Sequence, residues 1–317
     1  MSTLVIGGAG FIGAALVRKL VGAARDVVCM DTNLDPWHLG EAAAQVELVR
    51  GDMAQFDEIA ATIAEHDVDQ VVCVAYMLAG ASEVALHAGV RVNVLGLDNV
   101  FEAARLAGIK RVLFASSVTY HGTNPSPSAT TITEESPANP LGAYGWQKQF
   151  NEAMAARYAA RFDMTIAAVR PPIVFGPGRR QGHIGQAQLI NEPALGNPVR
   201  VAADPAAKAA MVYVEDVAEL FFRLATASTV NHSAYLTGGY VVSYDQLANT
   251  VRGLVPGAKV TFEAAPDRGP DYGHGLSFDY DHSRAKGEFG YDLPLFIDRI
   301  RDSMNGTRAM TGMPPLD

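Results

Sequence analysis

The chain has 317 residues, 49% of them hydrophobic and 19% charged, with a formal net charge of −9. This length fits one large α/β domain carrying a smaller lobe, and the apolar content excludes a disordered chain. The acidic excess leaves no basic stripe for a phosphate backbone or an anionic bilayer, so neither nucleic acid nor a membrane is expected as a partner.

From the N-terminus, short β-branched runs alternate with helical patterns: TLVIG, then FIGAALVRKLVG, then DVVCMD. Further strands are predicted over 46–50, 70–75, 111–116 and 165–170, and helices over 54–65, 90–107 and 144–162. Strand and helix trading places in this way predicts a doubly wound parallel sheet of the Rossmann type. Beyond Arg170 the stretches PPIVFGPGRRQG and NEPALGNP read as loops of a substrate lobe, and a helix is predicted from Met211 to Ala225. The expected division is a dinucleotide-binding domain over 1–172, joined by about 212–242, with a smaller interleaved C-terminal substrate lobe over 173–211 and 243–317. The last residues, TGMPPLD, are expected to fray.

Cys29 and Cys73 lie in strand-like runs with neither CxxC nor metal spacing, as expected of buried thiols in a reducing cytoplasm. The apolar stretch 4–17 is punctuated by glycines and preceded by no basic residue, so it does not read as a signal peptide. A cytoplasmic location is expected.

In LVIGGAGFIGAALV a strand runs into Gly7, Gly10 and Gly13 and then into a helix. Glycine there permits a positive φ, lets backbone N–H groups approach a pyrophosphate, and lets helix pack on strand. Asp31 ends the next strand, where a carboxylate accepts hydrogen bonds from adenosine ribose hydroxyls and repels a 2′-phosphate. NAD is therefore expected rather than NADP, although Arg25 and Arg50 lie close enough in sequence to serve a phosphate. Asp52 reads equally as a contact to the adenine amino group or as a helix N-cap.

In YGWQK, Tyr144 and Lys148 lie one helical turn apart. A lysine ammonium together with an oxidised nicotinamide favours the phenolate, bringing tyrosine into the range of a general base. FASSVTYHG places Ser116 and Ser117 at a strand end, where a hydroxyl meets a substrate oxygen or merely caps backbone. His121, His183, Arg179 and Arg180 sit in loops as candidate substrate contacts, each equally readable as a solvated surface group.

GGAGFIG, the Asp31 strand end, RVNVLGLDNVFEAAR, FASSVTYHG, YGWQK and VYVEDVA occur in the order and spacing of the extended short-chain dehydrogenases/reductases, the NAD-dependent epimerase/dehydratase family. The chain resembles that family over nearly its whole length. The resemblance implies Ser117 as the catalytic serine, Tyr144 as acid/base, Lys148 as the tyrosine-tuning and ribose-binding lysine, and Asn93 close to the active site. It implies cofactor contacts from Phe11 and Ile12 in the glycine loop, Thr32 and Asn33 after Asp31, Met53 after Asp52, the Val74, Ala75 and Tyr76 loop, and Pro171, Pro172 and Ile173. Met77, Thr119, His121, His183 and Arg268 join Ser117 as expected substrate contacts, and no metal is called for.

Departures from the family narrow the reaction. Ser117, Val118 and Thr119 stand where dehydratases carry Thr-Asp-Glu, which argues against water elimination. Ile173 and the pair Ala209, Ala210 stand where sugar epimerases carry an asparagine and an Arg-Asp pair, although Lys208 and Arg268 keep a diphosphate site open. The C-terminal order also resembles, more loosely, the short-chain-type threonine dehydrogenases. The expected activity is hydride transfer at a secondary alcohol or carbonyl of a small polar substrate, with a tightly NAD-bound nucleotide-sugar 4-epimerase and a non-catalytic NAD-binding sensor as alternatives. Phe150, Met154, Tyr158 and Phe162 form an apolar stripe that reads as core or, as the resemblance implies, as part of a homodimer face.

Overall fold

The computed structural model describes residues 2–122, 131–182, 185–264 and 278–316. In chain order, β1 (Ser2–Ile6), α1 (Phe11–Gly22), β2 (Asp26–Asp31), β3 (Glu47–Arg50), α2 (Phe56–Glu65) and β4 (Val68–Cys73) come first. Helices α3 (Ala79–Val84) and α4 (Leu86–Gly89), a π-helical turn over Val90–Leu95, and α5 (Gly96–Leu106) lead to β5 (Arg111–Ala115), β6 (Thr131–Ile132), α6 (Ala143–Phe162) and β7 (Thr165–Arg170). There follow β8 (Ile173–Phe175), α7 (Gly185–Ala194), β9 (Val199–Ala202), β10 (Lys208–Tyr213), α8 (Val214–Thr226), β11 (Ala234–Leu236) and β12 (Tyr240–Ser243). The chain closes with α9 (Tyr244–Leu254), β13 (Val260–Glu263), β14 (Asp279–Tyr280), α10 (Ser283–Phe289) and α11 (Phe296–Met310).

Seven strands form one sheet in the order β3-β2-β1-β4-β5-β7-β11, and every pairing is parallel. Because side chains alternate along each strand, Val5, Cys29, Val72 and Leu113 pack with the layer containing α1 and α8. Leu4, Val28, Val71 and Val112 pack on the opposite face with α2, α5 and α6. The doubly wound α/β sheet read from the alternation of elements is thus present. Its order reverses between β1 and β4, so a crevice opens beyond the carboxyl ends of these strands. Into it run the loops after β1, β4 and β5, which carry the glycines, the Tyr76 segment and the Ser117 segment.

Two local predictions are corrected. Met211–Tyr213 are strand, because this run completes the central strand of a three-stranded sheet, β12-β10-β8, and the helix begins only at Val214. That helix carries Glu215 and Asp216 in its first turn, where the helix dipole favours negative charge. Its buried stripe Val217, Leu220, Phe221 and Leu224 contributes roughly 1.5–3 kcal/mol per side chain, enough to outweigh burying Asp216, which Arg299 neutralises at 2.5 Å. Ile173–Phe175, expected as loop, is a short strand paired with β10 at Met211↔Ile173. Three β-branched or aromatic residues between prolines and glycines are too few to show a strand period.

Among the described residues no helix is long and apolar enough to cross a membrane. Cys29 and Cys73 are buried, and burial pushes both thiols up to about 12.

Candidate active site

At the dinucleotide end, Gly7 has φ +82°, and a Cβ there would lie 2.7 Å from the Ala75 backbone nitrogen. A Cβ on Gly13 would strike the Gly7 carbonyl. Glycine at these positions lets α1 settle onto the loop and the loop pass against the segment after β4. No side chain caps α1 at Gly10 and no acid lies in its first turn, so the positive helix end faces the crevice, as a phosphate group requires. Asp31 sits at the rim of this loop: Oδ2 accepts from Ala9 N and Oδ1 from Asn33 N, each at 3.2 Å. Arg50 donates to Thr32 O at 2.8 Å and so stays beside it.

Residues here therefore fit a dinucleotide with free ribose hydroxyls. Asp31→Ala is expected to weaken NAD binding about 10- to 100-fold and NADP binding far less, since it removes charge-assisted hydrogen bonds only the unphosphorylated ribose can make. Titrating both cofactors by fluorescence checks this; an unchanged NAD/NADP ratio would remove Asp31 from the ribose site.

Asp52 does not cap α2, which starts at Phe56. Its Oδ1 accepts from Ala54 N at 2.9 Å, closing the turn ahead of the helix. The Met53 side chain is buried against Gly96, leaving only its backbone for ligand contact.

At the reacting end, α6 carries Lys148 on a buried face with Gly145, Gln147 and Asn151, and the half-buried Tyr144 lies one turn before it. The Lys148 ammonium lies 5.1 Å from the Tyr144 ring centre, over the ring of Tyr76, and donates to Ala115 O at 2.9 Å. Burial pulls the Lys148 amine well below its usual range, and the Glu152 carboxylate opposes this. Burial likewise pushes the Tyr144 phenol up, and Arg179 is the charge that opposes it. The charge of an oxidised nicotinamide, which the expected phenolate also requires, would act against this burial.

The two serines part company. Ser116 is buried and donates to Glu152 Oε1 at 2.5 Å, whereas Ser117 Oγ accepts from Thr119 N at 3.2 Å and has no acceptor for its own hydrogen among the described residues. Val118 N donates to Pro171 O at 3.2 Å, tying this loop to the segment that leads into β8. Thr119 Oγ1 and the Tyr76 hydroxyl are buried in the same region without a hydrogen-bond partner among the described residues.

Some expected site residues play other parts. Asn93 is completely buried in the π-helical turn; its Oδ1 accepts from Met77 N at 2.8 Å and its Nδ2 donates to Gln147 Oε1 at 2.7 Å. It is a positioning residue that fixes the Met77 loop against α6, not a group open to substrate. His121 is also fully buried, facing Arg170 Nη1 at 3.1 Å, and burial with the Arg170 charge lowers its pKa to about 4. It stands in the wall behind the site rather than in the pocket. Arg180 stacks over the Trp37 ring at 3.9 Å. Ile173 and Ala209 are buried in β8 and β10. His183 and Arg268 lie outside the described residues.

One functional cluster escaped the sequence reading. Glu152, one turn beyond Lys148 on α6, receives Arg170 Nε at 2.9 Å and Nη2 at 2.5 Å as well as Ser116, and Arg170 also stacks on Tyr120 at 3.9 Å. Both partners of this fork are buried. The spacing Tyr144, Lys148, Glu152 at i, i+4, i+8 was the available signal.

Residues 3–238 match the model of the NAD dependent epimerase/dehydratase family. The chain is 28% identical over 263 residues to the UDP-glucose 4-epimerase of Mycolicibacterium smegmatis, covering 80% of this chain and 83% of that one. It is 30% identical over 212 residues to the D-erythronate dehydrogenase of Cupriavidus necator, covering 62% and 63% respectively. The solved L-threonine 3-dehydrogenase of Trypanosoma brucei superposes with a TM-score of 0.85 over 99% of each chain at 19% identity, a likeness of fold.

Proposed function

From the premise that this chain belongs to the NAD-dependent epimerase/dehydratase family of extended short-chain dehydrogenases/reductases, and is an NAD-dependent enzyme, we propose that it is a dehydrogenase acting on a secondary alcohol or carbonyl of a small polar substrate. The observation that carries this reading is the pair of buried apolar residues, Ile173 and Ala209, at the two positions where the family resemblance implies polar anchors for a nucleotide-sugar diphosphate. Similarity to a D-erythronate dehydrogenase supports it.

In this reading the N-terminus of α1 holds the pyrophosphate, Asp31 the adenosine ribose, and the Val74–Tyr76 segment, Lys148 and Pro171 flank the nicotinamide. Bound NAD supplies the acceptor for the carbinol hydride. Tyr144 takes up or returns the hydroxyl proton at its phenolic oxygen, and Ser117 donates its free hydrogen to the same substrate oxygen. Lys148 contributes its charge beside the phenol and orients the ribose, while Asn93 and Glu152 keep α6 in register with both loops. The substrate lobe is assigned to residues 173–211 and 243–317.

The alternative supported by a particular observation is a UDP-sugar epimerase, since a curated epimerase aligns over most of this chain. Cofactor exchange separates the two. A dehydrogenase must release NADH every turnover, so gel filtration is expected to strip the purified protein of cofactor. Stoichiometric NAD retained after filtration and released only by denaturation would overturn the dehydrogenase reading.

We also infer a homodimer. Trp146 and Phe150 on α6 are 57% and 49% exposed, and Val90 and Leu95 in the π-helical turn about half exposed, an apolar surface that a second copy would cover. Trp146→Glu is expected to give a monomer by light scattering; a wild-type monomer would contradict the inference.

A further inference from the structure

Among the described residues Arg179 forms no ion pair with a carboxylate, whereas Arg18, Arg105, Arg170, Arg223, Arg284, Arg299 and Arg301 each have one. Its recorded hydrogen bond is local, from Nε to Gln181 O at 3.1 Å. Its guanidinium nevertheless packs against the walls of the crevice. The carbon at its centre lies 6.0 Å from the ring centre of Phe11, the first residue of α1. Its Nη2 shares with Leu78, from the segment after β4, the space that a Cβ on Gly182 would occupy, at 3.0 and 3.2 Å. Two walls of the crevice thus converge on one charge, the glycine-loop helix and the loop after β4, and that charge also opposes the rise of the Tyr144 phenol.

The loop that carries it is built to aim it inward. Gly178 has φ +78° and lies against the Trp37 ring, and Gly182 has φ +80°. Arg180, next in sequence, turns the other way and stacks on Trp37, pinning the loop across the crevice. Burial pulls Arg179 down to about 10, a cost that no carboxylate among the described residues offsets. A cation desolvated beside a proton-transfer group, with its planar fork free, is suited to a planar oxyanion.

We propose that Arg179 binds a carboxylate carried by the substrate, which makes the enzyme selective for hydroxy acids and holds the substrate with its hydroxyl toward Tyr144 and Ser117. This rests on the dehydrogenase reading above for the direction in which the substrate lies. A pyrophosphate of the cofactor is the competing anion; the packing of Arg179 Nη2 beside Leu78, next to the Met77 expected at the substrate, favours the substrate.

Calorimetric titration of the NADH-loaded protein with D-erythronate and with erythritol, which replaces the carboxylate by a neutral CH2OH, tests it. The wild type is expected to bind the acid at least about tenfold more tightly than the polyol. Arg179→Gln should weaken the acid by about 100-fold, leave erythritol within about threefold, and leave NADH affinity unchanged, the last also showing that the variant is folded. Arg179→Lys should fall between, keeping the charge but losing the fork. The proposal is overturned if wild type binds the acid no better than the polyol, or if Arg179→Gln weakens both ligands equally. Loss of NADH affinity in that variant would also overturn it, by assigning Arg179 to the cofactor. Should the acid bind through Arg179 yet yield no NADH when NAD is supplied, the carboxylate site stands and the dehydrogenase reading falls.

Discussion

Tyr144→Phe is expected to lower kcat by about three orders of magnitude while leaving NAD affinity within about threefold. The phenyl ring keeps Lys148 beside an aromatic face, so positioning survives and only the proton-transferring oxygen is lost. Positioned acid/base groups contribute about 10²–10⁴ in rate, which sets the size of the loss. Steady-state kinetics with NAD and any turned-over alcohol, paired with direct cofactor titration, reads both quantities. Substantial residual turnover in this variant would remove Tyr144 from the proton path.

The second large effect concerns stability. Arg170→Met leaves the buried Glu152 carboxylate without its two-pronged partner, and removing one member of such a pair costs about 3–5 kcal/mol. Chemical denaturation should show that loss, and the double variant Arg170→Met with Glu152→Met should recover most of it, since neither charge is then stranded. A loss below about 1 kcal/mol in the single variant would mean that the pair is solvated in the protein. The pair lies directly behind the reacting groups, joining β7, α6 and Ser116. The double variant is therefore also expected to recover stability without recovering full activity.

Much of the molecule was legible because local and tertiary preferences agree. Glycines at 7, 10 and 13 have one backbone reason to occur at a strand-to-helix junction, and Asp31 one reason to close the next strand. The strand over Thr165–Arg170 and the helix through Tyr144 followed from period alone. Ile173–Phe175 and Met211–Tyr213 did not, because the first is strand by pairing with the second, and the second belongs to a strand that also pairs with β12, partners that no local window contains.

Loop histidines show the same limit at the level of the site. His121 and His183 look alike in sequence, yet His121 is sealed against Arg170 by the packing of β7. Asn93 likewise turned from a candidate site group into a clamp on Met77, because its role depends on a π-helical turn that carries no sequence signature. The Tyr144 phenol teaches the converse. Sequence supplied the neighbouring lysine, but burial decides the proton balance, and it raises the phenol and lowers the amine together.

The central claim is net hydride transfer to NAD by the Ser117, Tyr144 and Lys148 constellation. Its most direct test is the near-ultraviolet absorbance of NADH when the enzyme and free NAD meet a panel of small hydroxy acids, beside a parallel incubation with UDP-glucose. NADH accumulating mole for mole with a carbonyl product from a hydroxy acid, and UDP-glucose left unchanged, is the predicted result. Conversion of UDP-glucose to its 4-epimer without net NADH would contradict it.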